Sequence, residues 1–334
     1  MNVHKAKKLN ENYQVFNLIA QGGMASVYYA IRKKDNLPCA IKLIKPTIVD
    51  KNVSIKRFKE EIRIHEKVKS LYVAKIYDTC FDELNQEFWI SMEFVEGVTL
   101  KNKIEESGSL NEEDTVEYAK QIALGLKAIH DVNANHRDIK DTNIMITNLN
   151  EIKIVDLGIA IDDKTKRVTG EQKVVGSPHY IPGEISTYKR EKSSIKIDVY
   201  SLGITIYQML LGRVPFDGEN FIEILDKHRK APVPRIKSLK PTTSNGLINV
   251  ILKALAKNPK DRYNNMLEFY NDLDTCLDEN RKNEQEISFK EEKPKKIVNL
   301  LESNKWFLIL IISIAIIIII IIVIIILLYI GGSK

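Results

Sequence analysis

The sequence predicts an α+β protein of two lobes, a small β-rich one followed by a larger helical one, with one hydrophobic segment near the C-terminus. Three observations lead to this prediction. Apolar runs rich in β-branched and aromatic residues dominate the first 95 residues, and apolar residues at helical spacing follow from about Leu110. An uncharged apolar stretch then covers residues 306–330. A cleft between two lobes is a usual place for a ligand.

The composition is that of a folded protein. The chain has 334 residues, of which 44% are hydrophobic and 28% charged, so it is long enough for one large or two ordinary domains. Its net charge of +6 is mild and gives little reason to expect a nucleic-acid partner. Cys39, Cys80 and Cys276 are far apart and show no metal-ligand spacing or disulfide framework, which favours a reducing compartment for the folded part.

The small lobe is predicted to contain strands and one helix. The apolar runs that predict strands are bounded by Gly, Asn, Asp or Pro, and they are Gln14–Ile19, Ser26–Ile31, Cys39–Ile44 and Phe88–Val95. The exception is the stretch Ser54–Lys69, where residues recur at helical spacing at Ile55, Phe58, Ile62 and His65. This stretch is therefore predicted to be a helix.

The large lobe is predicted to begin with an amphipathic helix. Asn111 is a suitable N-cap, and one apolar face follows, formed by Val116, Ala119, Ile122, Ala123, Leu126 and Ile129. Residues 281–305 are rich in Lys, Glu and Asn and lack an apolar period. They are interpreted as a solvated juxtamembrane linker.

The apolar stretch 306–330 is predicted to be a transmembrane helix. Its 25 residues carry no charge, Ser313 is its one small polar residue, and Ile316–Ile322 are seven successive isoleucines. A helix of this length reaches roughly 37 Å, against a hydrocarbon core of about 30 Å. Trp306 and Tyr329 lie at the two ends, where aromatic rings favour the membrane interface.

The charges that flank this stretch predict its orientation. Lys293, Lys295, Lys296 and Lys305 precede it and only Lys334 follows it, so the positive-inside rule places residues 1–305 in the cytoplasm. Residues 331–334 would form a short extracytoplasmic tail. The N-terminus has no apolar core of the kind found in signal peptides. We therefore expect a single-pass protein of the cell membrane with a cytoplasmic domain.

Three features of the small lobe are individually ambiguous. The glycines of residues 19–27 lie between two predicted strands and could let the backbone approach a phosphate, although such a turn is more often a simple hairpin. Lys42 lies in an otherwise apolar strand, where a lysine usually extends its head group to solvent. If it is buried it needs an anionic partner, and Glu61 is suitably placed on the inward face of the predicted 54–69 helix.

The next motif is much more specific. His136-Arg137-Asp138-Ile139-Lys140-Asp141-Thr142-Asn143 is followed by two apolar runs and then by Asp156-Leu157-Gly158. In these residues the chain resembles the eukaryotic-type, or Hanks-type, protein serine/threonine kinase family. The resemblance continues in order through Gly176-Ser177-Pro178-His179-Tyr180, Glu184, Asp198-Val199-Tyr200-Ser201-Leu202-Gly203, Pro215-Phe216 and Asp261-Arg262-Tyr263.

The resemblance covers about residues 12–275 and implies the bilobal protein-kinase fold, with an N-lobe at about 12–95 and a C-lobe at about 96–275. The motif order and the hydrophobic tail are most similar to bacterial membrane-anchored kinases, without their extracytoplasmic repeats. The implied activity is transfer of the γ-phosphate of ATP to Ser or Thr hydroxyls of proteins, including the kinase itself. The implied cofactors are ATP and Mg²⁺ or Mn²⁺.

The resemblance also implies a role for each matching residue. Asp138 would accept or orient the proton of the substrate hydroxyl, and Lys140 would contact the γ-phosphate. Asn143 and Asp156 would hold Mg²⁺. Lys42 would hold the α- and β-phosphates and would be oriented by Glu61.

Further implied roles concern the nucleotide pocket and the activation segment. ATP would be bound by Ile19, Ala20, Gln21, Gly22, Gly23, Met24, Ala25, Ser26, Val27, Ala40, Lys42, Met92, Glu93 and Val95. Structural roles would fall to Glu184 and Arg262 as an ion pair, to Asp198 on the backbone of the catalytic loop, and to Arg137, which would bind a phosphorylated residue. Thr165 and Thr169 are the predicted phosphorylation sites.

The sequence departs from the family pattern in three places. The phosphate loop has Ala20 and Ala25 where the family has its outer glycines, Gly183 stands where it has proline, and Leu157 where it has phenylalanine. No catalytic side chain is lost. Two hypotheses follow, a membrane-anchored kinase and a membrane-tethered pseudokinase that acts as a binding module. The expected partners are protein substrates, the lipid bilayer and transient kinase–kinase contacts.

Overall fold

The computed structural model describes residues 6–23, 25–44, 62–156, 178–186, 195–289 and 312–321. They fall into two compact units, of which the first ends at Ile287 and the second begins at Ser288. The first unit contains both predicted lobes.

The small lobe is built on a five-stranded antiparallel sheet with strand order β1-β2-β3-β5-β4. The strands are β1 (Tyr13–Gln21), β2 (Ala25–Arg32), β3 (Leu37–Ile44), β4 (Ile76–Asp82) and β5 (Glu87–Glu93). Each of the four predicted strands corresponds to one of these, and the edge strand β4 is additional. Of the predicted helix Ser54–Lys69, residues 62–69 are described; residues 62–65 are helical, whereas 66–69 form a turn and irregular chain, so the helix ends earlier than predicted.

A short N-terminal helix, α1 (Lys7–Asn12), packs on the outer face of this sheet. Leu9 is fully buried beside Tyr13, Trp89 and Leu43. The carboxylate of Glu87, itself only 1% exposed, accepts the backbone N–H of Leu9 at 2.7 Å and the indole N–H of Trp89 at 3.0 Å. Because a helix N-terminus carries unpaired N–H groups, this buried carboxylate holds α1 in place.

The large lobe is mainly helical. It comprises β6 (Gly97–Thr99), α2 (Leu100–Ser107), α3 (Glu112–Asp131), β7 (Ile144–Thr147), β8 (Ile152–Ile154), α4 (Lys196–Leu211), α5 (Phe221–Lys230), α6 (Asn245–Ala254) and α7 (Met266–Thr275). Strands β6, β7 and β8 form a second, three-stranded antiparallel sheet. Asn111 caps α3 through a 2.6 Å bond from the N–H of Asp114.

Helix α4 lies at the centre of the large lobe and is apolar on nearly all sides, as expected for a helix surrounded by others. Gly203 permits its close packing on α6, since a Cβ there would lie 2.7 Å from that of Ala254. The main core is continuous between the lobes, because Phe88 and Ile90 of the small sheet belong to the same cluster as α3 and α4. This continuity fixes the base of the cleft.

The chain after α7 stays attached to the large lobe. Arg281 binds Asp272 at 2.8 Å and Glu284 at 3.1 Å. The side-chain oxygen of Asn249 accepts the N–H of Ile287 at 2.8 Å. The first residues of the stretch interpreted from the sequence as a solvated linker are therefore held on the large lobe by these contacts as far as Ile287, while most of their side chains remain exposed.

In the second unit, residues 312–321 are helical and their isoleucine side chains are about half exposed. They are the described part of the predicted transmembrane helix 306–330. Within the six described ranges, no helix combines the length and the hydrophobicity that crossing a membrane requires.

A buried histidine in α5 predicts an acid-dependent loss of stability. His228 is 1% exposed and contacts the hydroxyl of Tyr200 at 2.8 Å. Burial, together with the nearby cations Lys257 and His179, lowers the pKa of His228 to about 3. The unfolded chain binds this proton near pH 6.5, so the stability contribution is present above that pH and is lost as the pH falls toward 3.

Acidification from pH 7 to pH 5 should therefore lower the free energy of unfolding by about 2 kcal/mol through His228. The measurement is denaturant unfolding at both pH values for the unmodified chain and for His228→Gln, whose amide can still accept the Tyr200 hydroxyl. We expect the variant to lose less stability on acidification. An equal loss in both proteins would contradict the assignment.

Candidate active site

The inner face of the small sheet carries a row of aligned residues. Across neighbouring strands, Ala20 pairs with Val27, Val27 with Lys42, and Lys42 with Ile90. Ala40 pairs with Met92 two residues along. Because paired residues in an antiparallel sheet share a face, these side chains point to one side of the sheet, opposite the side covered by α1.

Lys42 lies in this row and reaches toward the large lobe. Its side chain is 16% exposed, and its Nζ lies 2.5 Å from Oδ1 of Asp156, which follows β8. An amine on an apolar strand that is this far removed from solvent is stabilised by such an anionic partner. The pair brings a lysine of the small lobe and a carboxylate of the large lobe together across the cleft.

A second charged cluster lies in the loop before β7, residues 136–143, called the catalytic loop below. Oδ2 of Asp138 accepts hydrogen bonds from Nζ of Lys140 at 2.6 Å and from Nδ2 of Asn143 at 2.9 Å. Asn143 also donates to the backbone oxygen of Asp138 at 2.8 Å, which closes the loop on itself. Its own backbone oxygen accepts the N–H of Val155 at 3.0 Å, so Asn143 is tied to the segment that carries Asp156.

Asp198 of α4 holds this loop from below. It is fully buried and accepts the backbone N–H of His136 at 2.9 Å, that of Arg137 at 2.7 Å, and Nε2 of His130 at 2.8 Å. Burial alone would raise the pKa of Asp198, but these hydrogen bonds outweigh it and keep the pKa below its ordinary value. Arg137 has a left-handed φ of 64°, a conformation that such anchoring maintains.

The segment 178–186 is fixed to the large lobe by an ion pair. Arg262, 2% exposed, donates from Nη1 and Nη2 to the two carboxylate oxygens of Glu184 at 2.6 and 3.0 Å. It also donates to the backbone oxygens of Ala256, Lys196 and Lys257. Next to Glu184, a Cβ on Gly183 would lie 2.6 Å from Cα of Arg229 in α5, so the backbone approaches too closely for a side chain.

A profile of the protein kinase domain matches residues 13–272, which is more than half of the chain. The chain belongs to the protein kinase family. The chain is 34% identical over 286 residues to the serine/threonine-protein kinase PrkC of Bacillus subtilis, an alignment that covers 86% of this chain and 44% of PrkC. It is 30% identical over 270 residues to the serine/threonine-protein kinase PknB of Mycobacterium tuberculosis, covering 79% of this chain and 43% of PknB.

The fold agrees with a solved structure. The crystal structure of the Mycobacterium tuberculosis PknI kinase domain superposes with a TM-score of 0.62 at 20% identity, covering 79% of this chain and 96% of that domain. The chain adopts the bilobal kinase fold with a β-sheet N-lobe and a helical C-lobe. It spans less than half the length of the curated relatives just named.

Some residues predicted for the kinase site lie outside the described residues, namely Met24, Glu61, Leu157, Thr165 and Thr169. Among the others, Ala40 and Val95 are buried, and Ile19 is half exposed on β1. Gln21, Gly22 and Gly23 are exposed at the β1–β2 turn, and Ser26 is partly buried in β2. Glu93 binds Nζ of Lys153 at 2.7 Å and the N–H of Lys75 at 3.1 Å, a connection not expected from the sequence.

Asn143 and Asp156 fit the metal role that the resemblance implies. Both offer hard oxygen donors of the kind Mg²⁺ prefers, and the Asn143–Val155 backbone bond brings them together. Both side-chain hydrogen bonds of Asn143 use Nδ2, which leaves the role of ligand to its Oδ1. Within the described part of the chain, no group of three or more His, Cys, Asp or Glu side chains is arranged to hold a metal ion.

Proposed function

We propose that this chain is a protein serine/threonine kinase that transfers the γ-phosphate of ATP to hydroxyl groups of proteins, itself included. The observation that carries the proposal is the Asp138 carboxylate, which Lys140 and Asn143 hold beside the segment of Asp156. Family membership and the names of the relatives PrkC and PknB support it.

Each residue of this cluster has a chemical task in such a transfer. Asp138 accepts or orients the proton of the attacking hydroxyl, and Lys140 neutralises charge on the transferred group. Lys42, released from Asp156 when nucleotide binds, holds the α- and β-phosphates. Mg²⁺ bound by Asn143 and Asp156 would neutralise the phosphate oxygens.

The alternative is a pseudokinase, and the loop alanines are the reason to consider it. Ala20 lies in β1 and Ala25 in β2, and neither has a positive φ. The turn is closed by the N–H of Gly22, which donates to the oxygen of Ala25 at 2.9 Å. An alanine is therefore accommodated at both positions without strain, which favours the active kinase.

The test is a phosphotransfer assay on the purified full chain with labelled ATP and myelin basic protein as a generic acceptor. We expect incorporation that requires Mg²⁺ or Mn²⁺, is abolished by EDTA and returns when the metal is restored. Binding of ATP without any incorporation would instead support the pseudokinase.

We further propose autophosphorylation at Thr165 or Thr169, with Thr169 the better candidate. Both lie in a polar, basic stretch, and a phosphate there would form charge-assisted bonds with Arg137. The backbone N–H of Arg137 is held by the carboxylate of Asp198. Mass spectrometry of the active enzyme should find phosphate on one of them. Its absence from residues 156–184 of active enzyme would contradict this.

We also propose that residues 306–330 anchor the kinase to the cell membrane, with residues 1–305 in the cytoplasm. The uncharged 25-residue stretch, the four preceding lysines and the exposed isoleucines of the 312–321 helix support this. Confinement to a membrane would raise the effective concentration for transient kinase–kinase contacts and autophosphorylation in trans.

Protease treatment of right-side-out spheroplasts tests this orientation. The kinase domain should sediment with membranes, resist extraction at high salt and remain intact until the spheroplasts are lysed. Digestion before lysis would show that the orientation is wrong, and recovery in the soluble fraction would show that there is no anchor.

A further inference from the structure

One acidic side chain of the catalytic loop has no task in the transfer described above. Asp141 lies directly after Lys140, at the start of a short 3₁₀ turn ending at Asn143, and is 8% exposed. Its Oδ2 accepts a hydrogen bond from Nε2 of Gln208, in α4, at 2.8 Å. A carboxylate so buried needs such a partner, and this one comes from a different element of the lobe.

Gln208 has a second partner on its other side. Its Oε1 accepts the hydroxyl of Tyr180 at 2.5 Å. Tyr180 is 7% exposed, and its backbone oxygen accepts Oγ of Ser201 at 2.9 Å. Burial and the nearby Asp141 carboxylate raise the pKa of Tyr180, so its hydroxyl remains a donor. A continuous chain of hydrogen bonds therefore runs from Asp141 through Gln208 to Tyr180.

The donors and acceptors of this chain match in one direction only. An ionised Asp141 can only accept, so Gln208 must present its NH₂ group to it, and the remaining amide oxygen can only accept from Tyr180. A glutamate at position 208 would instead place a second carboxylate against Asp141. Glutamine is thus the residue that satisfies both neighbours.

We propose that Asp141, Gln208 and Tyr180 are positioning residues that set the catalytic loop against the 178–186 segment, and that they thereby control use of the protein acceptor. The proposal rests on the proposed kinase function. Tyr180 and Glu184 belong to the same segment, and Arg262 fixes one end of it. The hydrogen-bonded chain Asp141–Gln208–Tyr180, called the relay below, fixes the other end, directly beside the loop that carries Asp138.

The effect should fall on the acceptor and not on ATP. The nucleotide side of the cleft is marked by Lys42 on β3 and by its partner Asp156. The hydrogen bonds of the relay join the catalytic loop, α4 and the 178–186 segment, all of which belong to the large lobe. Displacement of Tyr180 would therefore misplace the acceptor hydroxyl relative to Asp138 while leaving the phosphate contacts in place.

The test exchanges the hydrogen-bond donor and acceptor between positions 208 and 141, in the full chain. Gln208→Glu alone should lower kcat/KM for myelin basic protein by about 10- to 100-fold, the size expected for a hydrogen bond to a charged group. The double variant Asp141→Asn, Gln208→Glu restores the hydrogen bond between the two positions in the opposite direction, because the new amide at 141 donates to the new carboxylate at 208. The double variant should recover activity to within about threefold of the unmodified chain, a coupling expected of contacting residues.

Three controls separate a positioning role from a purely structural one. KM for ATP should stay unchanged in both variants, and Gln14→Glu, the same change at an exposed position of β1, should have no effect. Amide hydrogen exchange in residues 178–186 should rise in Gln208→Glu and return in the double variant. This exchange reports the relay even if the unmodified chain transfers no phosphate, so it separates failure of this proposal from failure of the proposed function.

Two outcomes would overturn the proposal. One is a double variant that is no more active, and exchanges no more slowly, than Gln208→Glu. The other is a loss in Gln208→Glu that appears equally in KM for ATP, because it would show a general disturbance of the lobe.

Discussion

Replacement of Asp138 by asparagine is expected to lower kcat by about 10²- to 10⁴-fold, the range that general acid–base groups contribute. The amide keeps the shape of the side chain but loses the negative charge. That charge pairs with Nζ of Lys140, 2.6 Å away, and allows the carboxylate to accept the proton of the acceptor hydroxyl. ATP affinity should stay nearly unchanged because Asp138 acts on the hydroxyl and not on the nucleotide. Steady-state kinetics with both substrates varied, together with nucleotide binding by calorimetry, measure these quantities.

Lys42→Met is the matched comparison. It removes the small-lobe partner of Asp156, so it should disturb phosphate positioning and raise KM for ATP, whereas Asp138→Asn should not. Unchanged autophosphorylation in purified Asp138→Asn protein would eliminate Asp138 as the group that acts on the hydroxyl.

The catalytic loop could be predicted from the sequence because its residues are contiguous. Asp138, Lys140 and Asn143 lie within six positions, and the structure joins them by hydrogen bonds that follow from this spacing. The strand that carries Lys42 was recognisable for a similar reason, since its apolar neighbours give a local signal.

Features that depend on distant contacts were not predictable in this way. Helix α1 has one buried residue, Leu9, and is held by Glu87, which lies 78 positions away in sequence. The edge strand β4 reads IYDTCFD, with polar residues that blur the alternation of a strand packed on one face only. In both cases tertiary contacts, and not local preference, determine the element.

At the site itself, the relay and the contact of Gly183 likewise depend on residues that are distant in sequence and could not be predicted from it. Gln208 lies 67 positions from Asp141 and 28 from Tyr180, so no spacing in the sequence points to their contact. The glycine at position 183, where the family has proline, is visible in the sequence. The sequence does not show that the backbone of Arg229 in α5 approaches this position too closely for a side chain. Only the packed structure supplies that neighbour.

Loss of the Arg262 side chain is expected to lower the free energy of unfolding by about 3 kcal/mol, a large fraction of the roughly 5–15 kcal/mol typical of a domain. Arg262→Met would remove the hydrogen bonds that the guanidinium donates to the carboxylate of Glu184 and to three backbone oxygens. Glu184 is 31% exposed on its side chain and can gain water, which limits the cost. Denaturant unfolding of the full chain, followed by tryptophan fluorescence, measures the change.

Glu184→Gln is the matched control, because it removes only the charge of the partner and keeps an oxygen that Arg262 can reach. Its cost should be smaller, about 1 kcal/mol, since Arg262 keeps its bonds to the backbone of Ala256, Lys196 and Lys257. The double variant should cost less than the sum of the two, as contacting residues are coupled. Equal losses in both single variants would show that the carboxylate, and not the guanidinium with its backbone bonds, carries the stability of this contact.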